Sequence, residues 1–147
     1  MPLNFNSIIS QLPYSYPFLF VDELLQIDEN GATGTYKFPK DSYFYKGHFK
    51  DYPVTPGVIL TECMAQIGLV CLGIFLISDE DNKKTKIGLS STEVDFYKPV
   101  FPGETVKVLS TKIYFRFNKL KCKVEMLDAE ENLICRGTIA GMLKTEL

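Results

Sequence analysis

Apolar and polar residues alternate along much of the chain. In residues 119–126 every second side chain is apolar, and the others are three lysines and a glutamate. A period of two predicts a strand with one covered face and one face in water. Similar patterns predict strands at 18–27, 33–38, 87–97, 105–117 and 133–143, with tight turns at Asn30-Gly31 and Asn118.

Residues 58–77 break this pattern, because they are almost wholly apolar over a length that suits a helix. Glu62 and Gln66 interrupt the segment, and the clean apolar run after them is too short to cross a bilayer. A helix that is apolar on all sides in a soluble chain is a buried central helix, and Pro56-Gly57 favours its start there.

A short helical turn is expected at 6–12 and a polar loop at 78–86. The order of elements is strands, one long apolar helix, and then several antiparallel strands. This order predicts an α+β domain in which a curved antiparallel sheet wraps around one central helix.

Composition and charge indicate one domain, residues 1–147, because a chain of this length can enclose one core. The net charge of −2 gives no bulk attraction to nucleic acid or to an anionic membrane. The N-terminus shows no basic region followed by an apolar core, so no signal peptide is expected. The four cysteines form no C-x-x-C pair and lie in apolar stretches, which favours free thiols in the reducing cytoplasm.

The chain contains a single histidine, His48, between an aromatic stretch and the loop that leads into the predicted helix. Histidine titrates near neutral pH and is the usual proton shuttle in enzymes, although a lone histidine is more often structural. One histidine excludes metal sites built from several histidine ligands. A nucleophilic pair of Cys63 and His48 is conceivable, but no acyl-enzyme motif accompanies it.

Glu62 is a carboxylate within the first turns of an otherwise apolar helix, where it must be paired, protonated or functional. Burial raises the pKa of a carboxyl group, which suits a general acid. The simpler alternative is a glutamate favoured by the helix dipole. Gln66 lies one turn further on the same face, where it can hydrogen-bond Glu62 or make an ordinary interior contact.

The start of the helix is a third candidate element. Free backbone N–H groups near Gly57 can hold an oxyanion, and glycine permits close approach by a ligand. Gly57 can equally be a plain turn residue.

Three segments resemble motifs of one enzyme family. Residues 12–22, LPYSYPFLFVD, resemble the opening motif of the FabZ-type β-hydroxyacyl-[acyl carrier protein] dehydratases. Residues 47–66 contain GHF, PVTPGV, Glu62 and AQ in the order and spacing of that family's active-site segment. Residues 96–104, FYKPVFPGE, resemble its later strand-and-turn motif. The resemblance therefore covers nearly the whole chain.

This resemblance implies a hot-dog fold, a homodimer or a trimer of dimers, and no metal or organic cofactor. It implies that His48 removes the α proton of a (3R)-hydroxyacyl thioester held by an acyl carrier protein, and that Glu62 protonates the departing β-hydroxyl. The Gly57 amide would bind the thioester oxygen, and the product would be the trans-2-enoyl thioester. The side chains expected to line the substrate site are Phe49, Val58 and Gln66.

The chain departs from the family pattern in two places. The family usually carries His-Arg where this chain has Tyr14-Ser15. It usually carries Pro-Gly-His where this chain has Lys50-Asp51-Tyr52. These departures concern the substrate and the carrier, because His48, Glu62 and Gly57 remain. A hot-dog acyl thioesterase is the alternative enzyme, and the GHF motif with Glu62 argues against it. A non-catalytic acyl-binding subunit is the alternative without chemistry, and the retained pair argues against that.

Carrier docking is expected to use basic residues near the mouth of the pocket, because acyl carrier proteins are acidic. The candidates are Lys46, Lys50 and Lys98. Ordinary solvated lysines are the simpler alternative.

Overall fold

The computed structural model describes residues 5–77 and 84–146, in which an antiparallel sheet surrounds one long helix. The strands in chain order are β1 (Glu23–Asp28), β2 (Gly31–Lys37), β3 (Lys84–Phe96), β4 (Thr105–Arg116), β5 (Lys119–Leu127) and β6 (Leu133–Glu146). They lie in the sheet in the order β1-β2-β4-β5-β6-β3, and every neighbouring pair is antiparallel. The helices are Phe5–Ser10, a short 3-10 turn at Tyr43–Lys46, and the central helix Gly57–Leu76. The predicted α+β arrangement is confirmed.

The alternation in β5 produces one buried face, as predicted. Its four buried apolar side chains, each with no exposed surface, are Leu120, Cys122, Val124 and Met126. The predicted turn about Asn118 is confirmed, because Phe117 and Asn118 have φ values of 52° and 62°. Positive φ at both central residues is typical of a two-residue hairpin turn that matches the twist of the strands.

The first strand begins at Glu23 and not at residue 18, so the predicted boundary is wrong. The Phe20 N–H donates to Gln66 Oε1 at 2.7 Å, and the Phe18 carbonyl accepts from Gln66 Nε2 at 3.0 Å. A side chain of the central helix therefore hydrogen-bonds the backbone N–H and C=O groups that would otherwise bond to a neighbouring strand. Apolar alternation alone does not distinguish these two partners.

The central helix begins after Pro56, as predicted, and its middle turn, Ala65–Val70, is π-helical. In a π-helical turn each carbonyl accepts a hydrogen bond from the N–H five residues further along the chain. The apolar pattern of the sequence does not predict such a turn. The helix is long and apolar enough to cross a membrane, but 72% of its most apolar stretch is buried inside the molecule. The predicted buried central helix is confirmed. Of the predicted loop, residues 78–83 lie outside the described part of the chain, and 84–86 belong to β3.

Strand β3 forms one edge of the sheet and pairs with β6 along its length. It is 13 residues long, and large apolar side chains such as Leu89 and Phe96 are nearly half exposed on it. An edge strand presents a row of backbone N–H and C=O groups that can bind a further strand. This edge is therefore a surface open to association.

Candidate active site

Glu62 lies in the second turn of the central helix and is half-buried, directly before the fully buried Cys63 and Met64. Burial raises the pKa of the Glu62 carboxyl above its ordinary value, while the hydrogen bond from Gln66 acts in the opposite direction. Because the net effect is upward, this carboxyl holds its proton more readily than a free glutamate does. A general acid needs this property.

Gln66 orients the Glu62 carboxyl and has no exposed surface. Its Nε2 donates to Glu62 Oε2 at 3.0 Å and to the Phe18 carbonyl at 3.0 Å, while its Oε1 accepts from the Phe20 N–H at 2.7 Å. Because a backbone N–H requires the oxygen and a carbonyl requires the amino group, the amide has one possible orientation. The Gln66–Glu62 hydrogen bond is thus as predicted. The expected place of Gln66 in the substrate site stays a prediction.

His48 lies in a loop that is closed by its own hydrogen bonds. The Val54 N–H donates to the His48 carbonyl at 2.8 Å, and His48 Nδ1 lies 2.8 Å from the Val54 carbonyl oxygen. A carbonyl oxygen only accepts, so Nδ1 carries the proton and Nε2 of the neutral ring keeps its lone pair. The ring stacks on Phe49, with 4.0 Å between centroids. This geometry makes Nε2 the basic nitrogen.

The start of the central helix provides backbone donors next to an exposed apolar side chain. The Ile59 N–H bonds to the Pro56 carbonyl at 2.9 Å. The N–H groups of Gly57 and Val58 have no acceptor within the helix, because the residues three and four positions before them lie outside it. A Cβ at Gly57 would lie 3.2 Å from the Phe96 ring, so a larger residue would press on that ring. Val58 is 77% exposed. These two amides suit a negatively charged oxygen.

Tyr14 is a further polar group in the surroundings of Glu62. Burial, and to a smaller extent the nearby Glu62 carboxylate, raises the pKa of the Tyr14 hydroxyl to about 12. Its ring packs near that of Phe18, with 6.3 Å between centroids. Tyr14 therefore stays protonated close to the acid, at a position that the sequence marked only as a departure from the family motif.

The three candidate docking lysines differ in their surroundings. Lys46 and Lys50 are exposed. Lys98 forms an ion pair and hydrogen bond with Asp128, which raises the pKa of Lys98 and, with help from Asn132, lowers that of Asp128 to about 2. The charge of Lys98 is thus already balanced within the chain.

The structure brings the predicted residues together in groups. Glu62 contacts Gln66, His48 stacks on Phe49, and within this chain His48 and Glu62 have different hydrogen-bond partners. Across residues 5–77 and 84–146, no three His, Cys, Asp or Glu side chains are grouped so that they could hold a metal ion. The sequence reasoning missed Val54, because a backbone carbonyl leaves no signal in residue type.

The family model for FabA-like domains matches residues 12–140. The 3-hydroxyacyl-[acyl-carrier-protein] dehydratase FabZ of Caldicellulosiruptor bescii is 33% identical over 143 residues, which cover 96% of this chain and 99% of the relative. The dehydratase of the same name from Ehrlichia canis is 32% identical over 151 residues, covering 98% and 97%. That of Clostridium perfringens is 38% identical over 106 residues, covering 72% and 74%.

Solved structures with lower sequence identity share the fold. A dehydratase heterocomplex from Xenorhabdus doucetiae gives a TM-score of 0.79 at 13% identity, covering 93% of this chain and 90% of that one. A thioesterase from Haemophilus influenzae gives a TM-score of 0.71 at 14% identity, covering 99% and 93%. Likeness at these identities shows the fold alone, and it confirms the predicted hot-dog fold. From the family match and the near full-length identity together, this chain belongs to the FabA-like family as a dehydratase of the FabZ type.

Proposed function

We propose that this enzyme removes water from a (3R)-hydroxyacyl thioester on an acyl carrier protein and forms the trans-2-enoyl thioester. The observation that carries the proposal is a His48 ring whose Nδ1 carries the proton and leaves the lone pair on Nε2, together with a Glu62 carboxyl whose pKa is raised. A β-elimination needs a base at the α carbon and an acid at the β-hydroxyl, and these two groups match those needs. Relatives that align over nearly the whole chain carry this activity in their names.

His48 acts as the base through Nε2, which takes the α proton of the thioester. The Val54 carbonyl holds the Nδ1–H at 2.8 Å, so the ring keeps its orientation as it gains a positive charge. The electrons of the broken C–H bond become the new carbon–carbon double bond.

Glu62 acts as the acid. Its Oε2 accepts the Gln66 hydrogen bond, so the proton for transfer belongs on Oε1. The β C–O bond breaks as the hydroxyl takes this proton and leaves as water. Glu62 and His48 then return to their starting protonation states by exchange with solvent.

The Gly57 N–H, at the positive end of the central helix, stabilises the negative charge that develops on the thioester oxygen. Val58 next to it is 77% exposed and offers an apolar wall to the acyl chain. No metal or organic cofactor takes part in this scheme.

We infer that the enzyme works in the cytoplasm as a homodimer or a trimer of dimers. In each site His48 comes from one chain and Glu62 from the other. Two observations support association: the open edge of β3, and the exposed apolar side chains of Val58 and Phe96 near the site. A second chain would cover these apolar surfaces and enclose a channel for the acyl chain.

The test is a direct assay with (3R)-hydroxyacyl carrier protein as substrate. We expect enoyl absorbance to rise without release of free thiol. Release of free thiol without enoyl formation would identify an acyl thioesterase, and binding without either product would identify an acyl-binding subunit. Acyl chains of graded length, assayed in the same way, would define the substrate class.

Carrier docking is tested by charge reversal of Lys46, Lys50 and Lys98. We expect each change to raise KM for carrier-bound substrate, most strongly at low salt. A change at Lys98 also breaks its ion pair with Asp128, so its effect on KM includes the loss of that pair. Lys123, exposed on the outer face of β5, is the matched control. If Lys123→Glu raises KM more than the other changes do, the docking surface lies on the outer face of the sheet.

A further inference from the structure

We propose that the hydrogen bond between the Tyr45 and Thr55 hydroxyls fixes the position and the tautomer of His48. The two side chains would then be positioning residues of the dehydration site. This inference rests on the proposed role of His48 as the base.

The two hydroxyls meet in the interior of the fold. Tyr45 Oη and Thr55 Oγ1 are 2.6 Å apart, and the two residues are only 6% and 5% exposed. One residue precedes the His48 loop and the other follows it, so the bond joins the two ends of that loop. A short hydrogen bond between buried hydroxyls fixes both partners, because a buried hydroxyl that loses its partner is costly.

Thr55 is connected directly to the group that holds the His48 ring. The carbonyl of Val54, which accepts the Nδ1–H of His48, belongs to the peptide unit that ends at the Thr55 nitrogen. That nitrogen donates to the Val100 carbonyl at 2.9 Å, and the Thr55 side chain bonds to Tyr45. A displacement of Thr55 therefore moves the acceptor of the imidazole.

The tip of the loop constrains the His48 ring in a different way, through the stacking of Phe49, which does not select the tautomer. The Phe49 N–H donates to the Tyr52 carbonyl at 2.7 Å and the Tyr52 N–H donates to the Phe49 carbonyl at 3.0 Å, so the tip is bonded to itself. Both side chains are more than half exposed, and Tyr52 makes an edge contact with Phe101 at 5.9 Å between centroids. The buried hydroxyl pair is thus a constraint on His48 that acts from inside the chain.

The test uses three variants: Tyr45→Phe, Thr55→Val, and the double change. The chain has one histidine, so its ring signals in ¹⁵N NMR spectra need no assignment. In the unchanged protein we expect the Nδ1–H tautomer with a slowly exchanging proton. In each single variant we expect faster exchange of that proton and a population of the other tautomer. We also expect kcat to fall about 10- to 100-fold with little change in KM, as for a displaced catalytic group.

The double variant separates positioning from stability. Removing both hydroxyls leaves no buried hydroxyl without a partner, so much of the stability lost in the single variants should return. The ring signals and kcat should stay altered, because the link between the ends of the loop is still missing. Tyr43→Phe is the matched control, since Tyr43 is on the same short helix and is 55% exposed; it should change neither readout.

Two results would overturn this inference. One is a single variant with unchanged ring signals and unchanged kcat. The other is a double variant in which the ring signals and kcat return to their wild-type values together with stability. That result would show that the hydroxyl pair has a structural role only. The NMR readout needs no substrate. Failure of the proposed dehydratase activity would therefore appear separately, as unchanged protein that shows the expected ring signals but no turnover.

Discussion

Among single side chains, His48 and Glu62 carry the proposed proton transfers. We expect His48→Ala and Glu62→Gln each to lower kcat by about 10²–10⁴-fold, the usual contribution of a general acid or base. Neither change should unfold the protein, because His48 lies in a loop and Gln at position 62 can still bond Gln66. Circular dichroism checks folding and enoyl absorbance checks turnover. A folded variant with wild-type turnover would remove the role assigned to that residue.

The raised pKa of Glu62 also has a cost in stability. Below the ordinary pKa of a glutamate, about 4.3, the carboxyl is protonated in both folded and unfolded protein and favours neither. As pH rises through the raised folded pKa, the folded protein must bury a charge, so the free energy of unfolding falls. Glu62→Gln removes this penalty.

We therefore expect Glu62→Gln to be more stable than wild type at neutral pH and equally stable in acid. Urea unfolding at several pH values measures the difference. Glu93→Gln, an exposed change on β3, is the control and should show no such trend. If the stability advantage of Glu62→Gln over wild type did not grow as pH rises, the burial argument would be contradicted.

The sequence was sufficient to find the groups with unusual chemistry. His48 was found because it is the single histidine, and Glu62 because a carboxylate stood in an apolar helix. The groups that hold them were not predictable in the same way. Val54 contributes a backbone carbonyl, and the Tyr45–Thr55 bond depends on how a loop closes, which residue type does not encode.

At the level of helices and strands, the apolar period predicts which face of a strand is buried. It does not predict where a side chain, and not a neighbouring strand, binds the backbone. The buried face of β5 follows directly from its alternation. The apolar residues before Glu23 fit the pattern of a strand, but the Gln66 amide binds the backbone of this stretch. The π-helical turn at Ala65–Val70 has no apolar period of its own, so only the structure reveals it.

The central helix packs closely against the sheet at both Gly68 and Gly73, but against different kinds of atoms. A Cβ there would lie 2.9 Å from Ser110 Cβ and 3.2 Å from a Val124 methyl, so the strands would have to move. At Gly73 the closest atom is the Ile87 Cδ1, at 2.6 Å, which is the end of a flexible side chain.

We expect Gly68→Ala to lower the free energy of unfolding by about 1–3 kcal/mol, as for overpacking in a core. Gly73→Ala is the matched control in the same helix and should have a smaller effect, because helix propensity favours alanine by about 1 kcal/mol. Urea denaturation of both variants measures the difference. Equal losses would show that the approach at Gly68 is not a close contact.

For the whole molecule, the proposed sharing of each site between two chains has a consequence that can be counted. In a mixed dimer of His48→Ala and Glu62→Gln chains, one site carries both changes and the other has both residues intact. Two inactive proteins should therefore regain part of the wild-type activity when mixed. The measurement is enoyl formation after the two proteins have exchanged subunits, with each variant alone as control. Demonstrated exchange without activity would place both residues in one chain.

If the open edge of β3 binds a second chain, the fraction of protein in the proposed dimer depends on the protein concentration. A 13-residue strand that is paired on one side leaves its other side to be satisfied by water or by a second chain. If each site needs two chains, tenfold dilution weakens association by about 1.4 kcal/mol, while the helix and sheet within each chain stay formed. Catalysis per chain then falls with concentration before any secondary structure is lost. Such an enzyme responds to its own abundance, so activity rises faster than in proportion to the amount synthesised.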